Sequence, residues 1–168
     1  MNINLVKLHE GLNKLNFQIK PDDLDFDGEE ETLFLFPNII DADVEVQKFS
    51  DKFFIKVNLL TVAHYTCDRC LDVFDQNLEA NFQLIYSKQT RYQFEDDEYR
   101  FIEENATEID LSTDIREHLL LVIPMKHLCK VDCAGLCSHC GVNLNNETCE
   151  CERTTIDARW QVLKNLQK

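Results

Sequence analysis

Between Leu128 and Cys151 the run LCKVDCAGLCSHCGVNLNNETCEC places six of the chain's eight cysteines within 24 residues. Cys137-Ser138-His139-Cys140-Gly141 sets two thiols three positions apart and follows them with a glycine that tolerates a tight backbone, the layout of a knuckle curled around one ion. Cys149-Glu150-Cys151 returns a second pair after eight intervening residues, long enough to fold back. Four sulfurs at about 2.3 Å close a tetrahedral zinc site and leave no position for chemistry, so this pattern points to a scaffold rather than a catalyst. The other four are Cys129 and Cys133, with a three-residue spacer, and the pair in Cys67-Asp68-Arg69-Cys70. Eight cysteines divide evenly into two sites: Cys137, Cys140, Cys149 and Cys151 as site one, and Cys67, Cys70, Cys129 and Cys133 as site two. The rival is a single zinc ion, with the second set left as thiols.

Length and charge bound what those sites can serve. At 168 residues the chain has room for one domain with a small metal-stapled appendage, and 44% apolar residues with 11 phenylalanines supply a real core. Two parts are expected, an acidic β-rich body over 1–124 ending in a helix and a zinc module with a C-terminal helix over 125–168. The net charge is −14, and residues 1–124 hold 11 basic against 26 acidic side chains, so the body carries all of it. Such a surface repels phosphate backbones and fits a basic protein partner better. The N-terminal MNINLVKLHEGLNKL lacks a signal layout, and the apolar run ending in Pro124-Met125 is too short to span a bilayer. A cytoplasmic location is therefore expected, with no membrane contact, and its reducing conditions move clustered cysteines toward metal.

The elements that must position the cysteines read as an α+β fold, an antiparallel sheet with a few helices. Residues 3–8 and 15–19 flank His9-Glu10-Gly11 as an opening hairpin. Pro21 to Glu31 carries seven acids and reads as a solvated loop. From Asp43 the period is two: Val44 and Val46, a Ser50-Asp51 turn, then Phe53, Ile55, Val57 and Leu59 on one face. Phe74, Leu78, Ala80, Phe82, Leu84 and Tyr86 share one parity, and Cys67 to Cys70 falls in the connection before them. Ser87 to Glu108 reads as a polar surface loop. Asp110 caps a helix carrying Leu111, Ile115, Leu119, Val122 and Ile123, stopped by Pro124. Thr154 to Asp157 opens a last helix with Ile156, Trp160, Leu163 and Leu166 in one stripe.

With these residues in view, the chain resembles the YceD family, bacterial proteins with plastid counterparts that are associated with accumulation of large-subunit (23S) ribosomal RNA. The resemblance runs over most of the length after Asp43 and is carried by Cys67-Asp-Arg-Cys70-Leu, by Glu108-Ile-Asp-Leu leading to Ile-Pro-Met, and by Leu128-Cys through Gly135-Leu-Cys-Ser-His-Cys-Gly-Val-Asn-Leu-Asn to Cys149-Glu-Cys. It implies a role in synthesis, processing or stability of ribosomal RNA during large-subunit assembly. It also implies that the cysteine cluster, which some relatives lack, supports fold or docking.

The expectation is a non-enzymatic factor acting through a zinc-stabilised interaction surface on a basic ribosomal or assembly protein. Lys126, Lys130, Arg153, Lys164 and Lys168 offer direct contact to ribosomal RNA as an addition. A redox-switched zinc chaperone is the alternative, since paired thiolates can oxidise and release their metal. An enzyme with a small-molecule substrate is disfavoured: His9, His64, His118, His127 and His139 are dispersed, and no nucleophile and base pair appears.

Overall fold

A computed structural model describes residues 1–24, 26, 35–88 and 99–151. Its body is a five-stranded sheet in the order β2-β3-β4-β5-β6, built from β2 (Gly11–Ile19), β3 (Ile40–Phe49), β4 (Lys52–Thr66), β5 (Val73–Ser87) and β6 (Tyr99–Phe101). The period-two residues become its core face: Val44, Val46, Phe53, Ile55, Val57, Leu59, Ala80 and Leu84 are all buried. Ser50 and Asp51 make the two-residue β3–β4 turn, with Ser50 at φ 49°, the positive φ that such turns require.

Three expectations change. The opening hairpin does not form. Asn4 instead accepts from the Val6 and Lys7 amides and turns the chain into a 3-10 segment, so β1 (Asn2–Asn4) pairs with β7 (Glu108–Asp110) while β2 pairs with β3. Within the expected Ser87 to Glu108 loop, Tyr99–Phe101 joins the sheet edge parallel to β5. The sheet is therefore mixed. The third concerns the helix cap, where Leu111 takes the N-cap position of α1 (Ser112–Leu121) and Asp110 acts one residue earlier, its Oδ1 accepting from the Ser112 amide at 2.9 Å. This helix ends at Leu121, before Pro124. Most of the acidic 21–31 run and the expected 154–166 helix lie outside the described residues.

Helix α1 covers the core face through Leu111, Ile115 and Leu119, each at most 1% exposed. It is fixed by a polar seam. The Tyr86 hydroxyl donates to Asp114 at 3.0 Å and Arg100 reaches the other carboxylate oxygen at 3.3 Å. Burial, reinforced by the Asp114 charge, pushes the Tyr86 hydroxyl well above its ordinary pKa, so it stays a donor. At the start of the helix the N-terminal ammonium contacts Asp110 and Ser112. Burial opposes ionisation of Asp110, but the Ser112 donors and the ammonium outweigh it and hold its pKa below the usual carboxylate value.

The hairpin of β4 and β5 is paired over all fifteen positions, whereas β3 reaches only as far as Leu60. Thr61 to Thr66 and Val73 to Leu78 thus project as a two-stranded arm. Two-stranded ribbons are marginal in water. Something must brace the tip, where Cys67 and Cys70 lie.

Replacing Asp114 with alanine strips the Tyr86 hydroxyl of its acceptor, and leaving a buried group unsatisfied costs about 1–3 kcal/mol. The urea midpoint is expected to fall by about 1 M, with a smaller loss for Asp114→Asn, which keeps an acceptor.

Candidate metal centres

The two halves of the cysteine inventory are each made by local hydrogen bonding. Cys67 and Cys137 open turns of the same design. The Leu71 amide donates to the Cys67 carbonyl and the Cys67 amide to Asp72, both within 2.9 Å; Gly141 and Val142 repeat these bonds to Cys137 at 2.9 and 2.8 Å. The residue after the second cysteine is left-handed in both, Leu71 at φ 61° and Gly141 at φ 74°. Glycine adopts that backbone freely, whereas a leucine does so at a cost of order 1 kcal/mol.

The sulfurs of Cys67, Cys70, Cys129 and Cys133 lie within 4.8 Å of one another, as do those of Cys137, Cys140, Cys149 and Cys151. These are the sets drawn from the sequence. Cys67 to Cys133 spans 3.8 Å, Cys70 to Cys129 3.6 Å and Cys137 to Cys149 3.4 Å. A disulfide would need about 2.05 Å, and none forms. A tetrahedron of sulfurs around an ion with bonds of about 2.3 Å has edges of about 3.8 Å, so both groups could hold a metal ion.

The inner group (Cys67, Cys70, Cys129, Cys133) is nearly dry, with Cys67 at 0% and Cys133 at 4% exposure. The outer one includes the exposed Cys140. Donors aim at the sulfurs: the Cys129 amide at Cys67 (3.5 Å), the His139 amide at Cys137 (3.4 Å) and the Asn145 side chain at Cys133 (3.3 Å). Burial works to raise the Cys67 pKa, yet the amides of Cys129, Cys70 and Arg69 bring it down to about 6. For Cys137 the amides of Cys140 and His139 lead, and the thiol again falls to about 6. Cys151 is pushed up to about 12, chiefly by its neighbour Cys140. In the inner group Cys133 is lowered too, chiefly by the Asn145 side chain, while Cys70 and Cys129 are raised. A bound metal's charge would favour the thiolate form of the raised thiols Cys70, Cys129 and Cys151.

The inner group draws two sulfurs from the arm tip and two from the C-terminal segment, and the surrounding contacts stitch the same seam. Asp68 exchanges bonds with His127, its amide donating to the His127 carbonyl and its Oδ2 accepting from the His127 amide, each at 2.8 Å. The Leu136 amide donates to the Arg69 carbonyl at 3.0 Å, and the Arg69 guanidinium to the Cys133 carbonyl at 3.0 Å. Asp72 accepts from Asn143 at 2.6 Å, and the His127 ring stacks on Tyr65 at 4.2 Å. Gly135 permits this approach: at φ 74°, an added Cβ would stand 3.1 Å from the Arg69 carbonyl oxygen. Asn145, Asp68, Asp72 and Asn143 were not singled out from sequence. Their signal was only their place inside the cysteine motifs, and spacing says nothing of which side chain will face a sulfur.

A family model described as "Large ribosomal RNA subunit accumulation protein YceD" matches residues 55–167, two thirds of the chain. The chain belongs to the YceD family. The matched span contains all eight cysteines and begins inside β4, leaving β1 to β3 outside. Among its relatives, the chloroplastic large ribosomal RNA subunit accumulation protein YCED homolog 1 of Arabidopsis thaliana is 39% identical over 61 residues, covering 36% of this chain and 19% of that protein. The Zea mays protein of the same description is 28% identical over 55% of this chain and 41% of its own length. An uncharacterized Mycobacterium tuberculosis protein is 28% identical over 74% of this chain and 60% of its own. The chain therefore spans less than two thirds of the curated relatives it matches. No solved structure matches it.

The two thiols at about 6 give pH predictions for the chain. Metal-free, each has a folded pKa depressed below the unfolded value of about 8.5. Their contribution to stability is full above the unfolded value and is lost as pH falls through about 6. Urea midpoints of the metal-free protein should accordingly decline from pH 8 to pH 6, a window below the unfolded value in which the raised Cys70, Cys129 and Cys151 stay protonated in both states. Calorimetry in buffers of different ionisation enthalpy should find fewer than four protons released per ion bound at pH 7, because part of the ionisation has already occurred.

Proposed function

We propose that this chain supports large-subunit ribosomal RNA accumulation without catalysing a reaction, as a zinc-braced interaction surface used during ribosome assembly. The Arabidopsis and maize relatives are named for that accumulation. The observation that carries the rest is the inner four-sulfur group, shared between the arm and the C-terminal segment. Four thiolates in a tetrahedral set suit zinc, and an ion so enclosed has no bound water to activate. Cys67, Cys70, Cys129 and Cys133 would hold one ion and Cys137, Cys140, Cys149 and Cys151 another. What zinc supplies is shape.

The net charge of −14 fits a basic ribosomal or assembly protein as partner. Exposed Lys126 and Lys130 stand near the inner group and could reach RNA phosphate beside it. No described helix is long and apolar enough to cross a membrane. A reducing cytoplasm suits eight unpaired cysteines.

The exposure of Cys140 favours one second reading, a redox-switched zinc chaperone. Two thiolates of the outer group would join as a disulfide, passing two electrons to hydrogen peroxide, which leaves with two protons as two waters. Retention of both zinc ions under mild peroxide removes this reading.

Intact-mass measurement of the folded protein is expected to show two zinc ions, and Cys70→Ser only one. A single ion in the native chain would overturn the two-site assignment. Capture from cell extract is expected to recover large-subunit components even after RNase treatment, because the partner is a protein. Recovery abolished by RNase would replace the protein partner with RNA.

A further inference from the structure

The core face of the sheet is covered by α1, whereas among the described residues no element packs on the opposite face. Its side chains are those of alternate parity: Leu12, Lys14, Asn16 and Gln18 on β2, Asp41, Asp43, Glu45 and Gln47 on β3, with Phe54, Lys56, Asn58 and Leu60 on β4. The charges on it are segregated. Lys14, Lys52 and Lys56 stand toward the β3–β4 turn, where Lys14 pairs with Glu45 at 2.7 Å. Toward the arm the face is acidic, with Asp41, Asp43 and Glu79 exposed.

Those three carboxylates are held by neutral donors. Asn16 donates to Asp43, Gln18 to Asp41 at 3.1 Å, and Asn81 to Glu79 at 3.0 Å. Among the described residues none of them has a cation partner. They are oriented, and no described cation neutralises them. Register places Asp41, Leu60 and Glu79 side by side on one rung, with Asp43 on the next. The two outer carboxylates of the rung are thus about 10 Å apart, with Asp41 and Asp43 about 7 Å apart along the strand. Leu60 sits between them, 45% exposed.

We propose that this acidic half of the open face seats an extended lysine- and arginine-rich segment of a partner protein. Alternate residues of an extended chain are also about 7 Å apart, so two cations of such a segment meet Asp41 and Asp43 while a third reaches Glu79. Leu60 supports the methylene stems of those long side chains, which cover apolar surface while their heads stay polar. The lysines at the other end of the face set the segment's position by repelling it. The proposal rests on the reading of the partner as basic and gives that partner an address.

The test uses the 168-residue chain purified with zinc and a fluorescein-labelled decapeptide in which arginine alternates with alanine, followed by anisotropy. The triple variant Asp41→Asn, Asp43→Asn, Glu79→Gln is compared with Glu103→Gln, Glu104→Gln, Glu117→Gln, an equal charge change placed on the β6–β7 connection and on α1. Both variants are first shown to keep native circular dichroism and zinc content. The face variant is expected to weaken binding at least tenfold and the control less than twofold. Equal losses in the two variants would overturn the assigned face and leave the basic-partner reading standing. Absence of binding by the native protein would overturn both. Sedimentation showing a dimer that the face variant dissociates would assign the surface to a second copy and equally overturn the proposal.

Discussion

The inner group of four sulfurs is the constraint on which the other parts depend. Its sulfurs come from positions 67, 70, 129 and 133, so it joins the tip of a two-stranded arm to the segment that follows α1, Cys70 and Cys129 standing 59 positions apart. Neither partner is self-sufficient. The arm projects beyond β3 with only one neighbour per strand, and the C-terminal segment has an isolated bridge, Leu136 to Asn143, in place of a sheet. Packing helps through Tyr65, Phe74 and His127. Ala63, Tyr65 and Leu78 tie the arm into the main core, and Phe74, Leu128 and Leu136 pack around the buried sulfurs, so the sulfurs and their hydrogen-bonded frame complete the junction at the tip.

What could be read from sequence was what is local. The parity of Phe53 to Leu59 and of Leu78 to Tyr86 gave the buried faces, and Ser50-Asp51 gave the turn, because strand period and turn chemistry act over a few residues. Thiol pairs at fixed spacing gave the knuckles for the same reason. The pairing of β1 with β7 was not legible: Ile3 meets Ile109 across more than a hundred residues, and three-residue strands carry too little pattern to announce a partner. The parallel edge strand Tyr99–Phe101 was hidden similarly among acids and aromatics. Nor could spacing say that Asn145 would turn its amide to Cys133 or that Arg69 would lie against Gly135. Those facts belong to the packed state.

Charge follows architecture. Lys14, Lys52 and Lys56 gather toward one end of the open face and Asp41, Asp43 and Glu79 toward the other, the end from which the arm leads to the knuckles. Tetrathiolate zinc would deepen the negative field there, since four thiolates outweigh one divalent ion. A sheet polarised along its strands presents an incoming cationic chain with a direction as well as an attraction.

The two knuckles share a hydrogen-bond plan but differ at its left-handed position, Leu71 where the other has Gly141. A leucine resists the left-handed backbone, and the inner site must in addition bring distant parts of the chain together, an entropic burden that grows with loop length. The outer site asks for neither: its ligands fall within fifteen residues and its glycine turns freely. Were both groups to take up metal, loading would then have a built-in sequence in time, nucleating at the carboxyl-terminal knuckle and completing at the arm. The long hairpin would be clamped last, after the surface that clamps it had already formed.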